Sequence, residues 1–178
     1  MNFNLPNSLT LLRIILIPLI VILFVSNDES NRFLAFLLFL IASVTDYLDG
    51  LLARYMKQQT NFGEFLDPVA DKLLVIITFI LLISENQEIL FMIPVLVIVT
   101  REFLVIAIRQ RLAEVGENIK LSVILISKIK TAIQLISLLL LLYKYPFLGY
   151  DTYLYGTILL QISAILTLIS FFYYVKKS

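Results

Sequence analysis

"DYLDGLLARYMKQQTNFGEFLDPVAD", residues 46–71, carries four aspartates, one glutamate, one arginine and one lysine. The chain around it is overwhelmingly apolar. Of its 178 residues 60% are hydrophobic and only 15% charged, with a mean hydropathy of +0.96, far outside the usual balance of a soluble domain. These values predict an integral membrane protein. The acidic stretch spans the end of one apolar segment and the start of the next, so the question it raises is what a lipid-embedded chain does with so much charge.

Working outward, apolar stretches run over 8–27, 32–54, 62–84, 89–111, 119–143 and 152–175, with polar breaks at SNDESN (26–31), SENQE (84–88) and KYPFLGYD (144–151). A spanning helix needs roughly 20 residues, so six spans with short connections consume nearly the whole chain. The expected fold class is an all-α membrane protein of six transmembrane helices, forming one domain over residues 1–178. The N-terminal MNFNLPNSLTLLR lacks the basic start and small-residue cleavage site of a secretory signal, which predicts a retained first helix.

The composition also restricts the chemistry. There is no cysteine and no histidine, so thiolate metal sites, disulfides and cysteine nucleophiles are excluded. Proton transfer falls to a carboxylate, lysine, tyrosine or water, and any metal must be held by oxygen, which favours magnesium, calcium or manganese. A net charge of +1 gives no electrostatic footprint for nucleic acid, and none is expected as a partner.

Charge asymmetry orients the helices. With the N-terminus cytoplasmic, the outer loops hold only Arg32 and Lys144, whereas the cytoplasmic connections and tail hold Arg54, Lys57, Arg109, Arg111, Lys120, Lys176 and Lys177. That distribution follows the positive-inside rule and places both termini in the cytoplasm. It also puts Arg13, Asp46, Asp49, Asp67, Asp71, Lys72, Arg101, Glu102, Lys128 and Lys130 in the cytoplasmic half of five helices. Isolated charge at mid-bilayer costs at least about 2.5–3.5 kcal/mol per residue, so charges gathered at one depth predict a polar active-site cavity there. Fraying ends with snorkelling side chains account for Lys57, Lys176, Lys177, Glu114 and Glu117 instead, and Asp28, Glu29, Glu85 and Glu88 read as ordinary solvated loop residues.

Residues three and four apart share a helix face. Asp46, Asp49 and Gly50 therefore point one way near the end of the second helix, and Asp67 and Asp71 share the start of the third. Pro68 is compatible with Asp67 capping that helix or lying within it. A connection of roughly eight residues makes the two helices antiparallel neighbours, and four clustered carboxylates need cations to stay ionised. Divalent metal answers that need, and a metal pair is a recurring device for displacement at phosphorus. Gly50, Ala53 and Gly63 clear space beside the carboxylates, or alternatively serve close helix packing. Arg54 offers a fork matched to phosphate.

The spacing Asp46, Asp49, Gly50, Ala53, Arg54, Gly63, Asp67, Asp71 resembles the signature D-x2-D-G-x2-A-R-x8-G-x3-D-x3-D of the CDP-alcohol phosphotransferases at all eight fixed positions. The resemblance implies transfer of a substituted phosphate from a CDP-linked donor to an alcohol, with release of CMP. It implies that Asp46, Asp49, Asp67 and Asp71 bind Mg2+ or Mn2+, two ions in number, and that Asp71 is the general base. By family position, Asn7, Thr10, Asp49, Gly50, Ala53, Arg54, Thr60 and Gly63 contact the donor, CDP-diacylglycerol. Asn7 equally suits a helix cap.

A phosphorylated acceptor needs a second basic cluster, and Arg101, Arg109, Lys128 and Lys130 supply one. TREF (100–103), SKIKT (127–131) and the opening LPNSLTLLRI resemble the segments of bacterial family members whose acceptor is sn-glycerol 3-phosphate. Ser127 departs from that pattern, where glycine is expected, and so does Glu64, where a basic residue is common. The resemblance also implies a homodimer in the cytoplasmic membrane, among membrane lipids, with its site facing the cytoplasm. The competing readings are another acceptor, such as inositol phosphate or serine, a cation transporter, or a structural scaffold. Transport predicts carboxylates distributed through the membrane depth, and a scaffold gives no reason for the spaced signature. Without a substrate role, Arg101 and Glu102 form an internal ion pair.

Overall fold

The structure, a computed structural model, describes residues 5–26, 28–56, 61–114 and 125–177; side chains at 5–9, 46–56, 61–68, 109–110, 112–114, 125–127 and 173–177 are outside the described set. Six helices run through it: α1 (Leu5–Val25), α2 (Glu29–Met56), α3 (Asn61–Glu85), α4 (Ile89–Glu114), α5 (Leu125–Tyr143) and α6 (Thr152–Lys177). Among the described residues there is no strand, only an isolated bridge between Phe147 and Tyr150. The helices correspond to the six apolar stretches of the sequence. Among the described residues two segments, Ile89–Ile108 and Thr152–Phe172, are long and apolar enough to cross a membrane, and Thr10–Val25 is a shorter apolar helix.

The chain divides into two compact units, Met1–Glu85 and Asn86–Ser178. Polarity in both is inverted relative to a soluble protein. Ile15, Ile22, Ile80, Leu96, Phe103, Ile165 and Phe172 are exposed, while Arg13, Arg101, Lys130, Gln134, Ser137, Ser163, Thr167 and Ser170 are buried. Apolar side chains on the outside and polar groups gathered inside are what a lipid solvent selects.

In the first unit α1 packs on α2 and α3. The buried face of α1 repeats at helical spacing, with Thr10, Arg13, Leu16, Ile17, Ile20 and Phe24 all inside. Arg13, early in α1, pairs with Asp71, early in α3, so these two helices run in the same direction. Arg32, early in α2, pairs with Glu85 at the end of α3 and lies over the Phe24 ring at 4.6 Å. Hence α2 is antiparallel to α3, and one end of the unit is closed by an ion pair with a cation–π contact. This differs from the reading of Glu85 as an ordinary solvated residue: its side chain is 21% exposed and holds Arg32.

In the second unit α6 packs against both α4 and α5. Asn86, just before α4, donates to the Tyr153 hydroxyl at the start of α6 at 2.6 Å, and farther along Arg101, midway through α4, donates to Ser170, late in α6, at 2.8 Å, so α4 and α6 are parallel. Helix α5 returns between them in sequence. The turn that reverses it has positive φ at Leu148 (52°) and Gly149 (82°), with Phe147 and Tyr150 exchanging backbone bonds at 3.0 Å, the pattern of a two-residue reverse turn. Asp151 then caps α6 by accepting from the backbone N–H of Tyr153 and Leu154, at 3.0 and 3.1 Å.

Helices α5 and α6 approach each other closely at Gly156. Ser137 Oγ donates to the Gly156 carbonyl at 2.7 Å. A Cβ at Gly156 would lie 2.8 Å from Leu141 Cγ and 3.1 Å from its backbone nitrogen. Gly156→Leu is expected to force the helices apart and destabilise the fold by about 1–3 kcal/mol. Thermal unfolding followed by far-UV circular dichroism in detergent checks this, and an unchanged Tm contradicts the close approach.

Candidate functional site

The backbone supports the sequence-based arrangement of the acidic residues helix by helix. Asp46, Asp49, Gly50, Ala53 and Arg54 lie in the last turns of α2, and Gly63, Asp67 and Asp71 in the first turns of α3. Helix α3 begins at Asn61, so Asp67 lies inside it, one turn before Asp71 and on the same face. Helix α1 begins at Leu5, which puts Asn7 in its first turn and not at its cap. The side chains of Asn7, Asp46, Asp49, Ala53, Arg54, Asp67 and Arg109 are outside the described set, and Thr60 lies outside the described residues altogether.

Asp71 is the one acidic residue of the motif whose side chain is described. Its Oδ1 accepts from Arg13 Nη1; Arg13 is fully buried, whereas the Asp71 side chain is 38% exposed. Thr10, also fully buried, lies one turn before Arg13 on the same face of α1. Both take part in further interactions. A buried guanidinium needs an anionic partner, and here that partner is the carboxylate whose exposed part remains accessible. The pair fixes the direction of Asp71 from a neighbouring helix. The donor set of the motif is all carboxylate oxygen, spaced to share helix faces, which fits a hard divalent cation.

The second unit gathers basic residues. Lys130, 3% exposed in its side chain, pairs with Glu102 Oε1, and Arg101 Nη1 reaches the same oxygen at 3.3 Å. Arg101 Nη2 donates to Ser170 Oγ at 2.8 Å, and its Nε is buried with no hydrogen-bond partner among the described residues. Two cations from α4 and α5 thus converge on one carboxylate, leaving a net positive cluster with donor capacity on the guanidinium. Lys128, two residues from Lys130 and so about 200° around the helix, is exposed. The structure therefore brings Arg101 and Lys130 together and leaves Lys128 on the other side of α5.

Two participants escaped sequence reasoning. Arg13 was expected near the start of the first helix but not beside Asp71, since the partners are 58 residues apart and no local pattern joins them. Ser170 sits in a helix read only as a clean apolar span. The available signal was Ser163, Thr167 and Ser170 at spacings of four and three, a polar stripe on one face.

Residues 3–170 match the family described as CDP-alcohol phosphatidyltransferase. Three similar proteins bear the name CDP-diacylglycerol–glycerol-3-phosphate 3-phosphatidyltransferase. The one from Haemophilus influenzae is 43% identical, covering 99% of this chain and 94% of its own length. That from Wigglesworthia glossinidia brevipalpis is 40% identical over 98% and 94%, and that from Escherichia coli 39% identical over 100% and 96%.

Arg13→Ala removes the cation that directs Asp71 and is expected to lower stability by about 2 kcal/mol, below the value for a fully buried pair because Asp71 is partly exposed. Arg13→Lys keeps the charge without the fork and is expected to fall between. Melting temperatures of the two variants beside the parent protein provide the check, and equal values for all three contradict the pairing.

Proposed function

Because the chain belongs to the CDP-alcohol phosphatidyltransferase family, we propose that it transfers the phosphatidyl group of CDP-diacylglycerol to sn-glycerol 3-phosphate, giving phosphatidylglycerophosphate and CMP. The observation that carries this reading is identity of 39–43% along practically the entire chain with relatives bearing that enzyme name. The sequence motif and the two polar clusters supply the chemistry.

In this reading Asp71 accepts the proton of the acceptor hydroxyl, the oxygen so freed attacks the donor's β-phosphorus, and the bond from that phosphorus to CMP breaks. Arg13 holds the Asp71 carboxylate in its working direction. Asp46, Asp49, Asp67 and Asp71 would hold the divalent cations, two Mg2+ or Mn2+ ions. When bound, these supply positive charge against the diphosphate and the departing CMP. Asn7, Thr10, Asp49, Gly50, Ala53, Arg54, Thr60 and Gly63 receive the donor. The small residues leave room for its headgroup, and Arg54 supplies a bidentate donor for phosphate.

The acceptor's own phosphate is bound by Arg101 and Lys130. Their burial makes each charge–charge interaction stronger than at a wet surface, and Glu102 keeps the two cations close without full mutual repulsion. Arg109 and Lys128 add positive charge toward the same ends of α4 and α5. An acceptor without phosphate, such as serine, would have no use for this cluster. We assign six membrane spans with both termini cytoplasmic, the polar ends of the helices lining a cavity open to the cytoplasm, and residues 1–178 acting as one domain. The protein works as a homodimer in the cytoplasmic membrane.

Detergent-purified protein given CDP-diacylglycerol, glycerol 3-phosphate and Mg2+ is expected to release CMP and form phosphatidylglycerophosphate, identified by mass spectrometry. No CMP release with any alcohol in a panel refutes the enzyme, and preference for a non-phosphorylated alcohol refutes the acceptor. Asp71→Asn is expected to lower turnover by about 10²–10⁴-fold, the usual worth of a positioned base. Chelation by EDTA is expected to abolish activity, with excess Mg2+ restoring it; full activity after chelation counts against metal dependence.

A further inference from the structure

Helix α6 carries no charge between Thr152 and Val175, and much of its surface is exposed isoleucine and leucine. One face differs. Ser163, Thr167 and Ser170 are buried at spacings that align them, and the last of them meets Arg101. We propose that Ser170 is a positioning residue that sets the orientation of Arg101 for the acceptor's phosphate, an inference that rests on the acceptor reading above.

The hydrogen bonds give Ser170 a single role. Its hydroxyl proton is directed to the Thr167 carbonyl, at 3.2 Å, and its oxygen accepts from Arg101 Nη2 at 2.8 Å. A hydroxyl has one proton to give and lone pairs to receive. Committing the proton to the helix backbone turns the lone pairs toward a guanidinium, which can only donate. Ser170 is 2% exposed, so water does not compete for that acceptor.

Ser170 and Glu102 then divide the guanidinium between them. Glu102 takes Nη1 at 3.3 Å and Ser170 takes Nη2 at 2.8 Å, while Nε is buried without a hydrogen-bond partner among the described residues. Two anchors from α4 and α6 fix the plane of the group. The Nε edge is left as the donor edge for an oxyanion, and Lys130 is tied to the same Glu102 oxygen. A planar fork recognises phosphate only when its plane is set beforehand. Without Ser170 the guanidinium must be ordered by the acceptor itself, which weakens acceptor binding while leaving the chemical step intact.

Steady-state kinetics of Ser170→Ala in detergent micelles test this, varying glycerol 3-phosphate and CDP-diacylglycerol separately. The expected result is a rise of about tenfold in KM for glycerol 3-phosphate, in line with one lost charge-assisted hydrogen bond. Turnover and the KM for CDP-diacylglycerol should stay within about twofold, a margin small against that tenfold change. Competitive inhibition by inorganic phosphate should weaken by the same factor, and Ser170→Thr, which keeps the hydroxyl, should restore both. An unchanged acceptor KM and phosphate inhibition in Ser170→Ala overturn the proposal. So does a parallel loss in both KM values and in melting temperature, the mark of a purely structural residue. If the parent protein makes no product from glycerol 3-phosphate, the acceptor reading itself fails; if it does and Ser170→Ala behaves like the parent, only the positioning role fails.

Discussion

An ionised side chain in apolar surroundings must be met by an opposite charge, and this constraint organises both units of the protein. Arg13 with Asp71, Arg32 with Glu85, and Lys130 with Glu102 each join two different helices. Breaking such a pair strands a charge where solvation is poor, so the pairs specify which helices meet and in which direction. The apolar side chains around them cannot do this by themselves, because lipid tails are as good a solvent for leucine as another helix is. Direction and register come from the polar minority of the sequence.

The same requirement links architecture to chemistry. In the first unit, the ion pair at one end closes α1, α2 and α3 together, while the pair nearer the middle of α1 and α3 includes the carboxylate to which we assign proton transfer. Arg13 serves stability and orientation at once. In the second unit, Glu102 holds two cations that would otherwise repel, and the surplus positive charge suits a phosphorylated acceptor. Buried ion pairs are an uncertain source of net stability. Their value in this protein lies in fixing which helices meet and how the paired side chains point.

Much of this was legible before any coordinates. The alternation of apolar stretches and polar breaks located all six helices, and the spacing of Asp67 and Asp71 placed them on one face once α3 was seen to begin at Asn61. The adjacency of Arg101 and Glu102 suggested an internal pair, which the structure contains. What sequence could not reveal was rotation. Nearly uniform apolar helices have weak periodicity, so nothing local shows that Arg13 turns toward Asp71 or that Lys130 and not Lys128 faces Glu102. Ser170 was hidden for a different reason: a serine in an apolar helix commonly bonds its own backbone, and this one does so as well as meeting Arg101.

The tight junction between α5 and α6 bears on how the chain reaches the bilayer. Helix α5 carries Lys128, Lys130, Gln134 and Ser137, polar groups that are costly in lipid, whereas α6 carries no charge between Thr152 and Val175. The short reverse turn, the Asp151 cap and the Ser137–Gly156 bond hold the two as a closely packed pair. During biogenesis the insertion machinery would meet a helical hairpin in which α6 shields α5's polar groups from acyl chains. Polar side chains that make one helix a poor lipid solute are thus no bar to insertion when it travels with an oily companion.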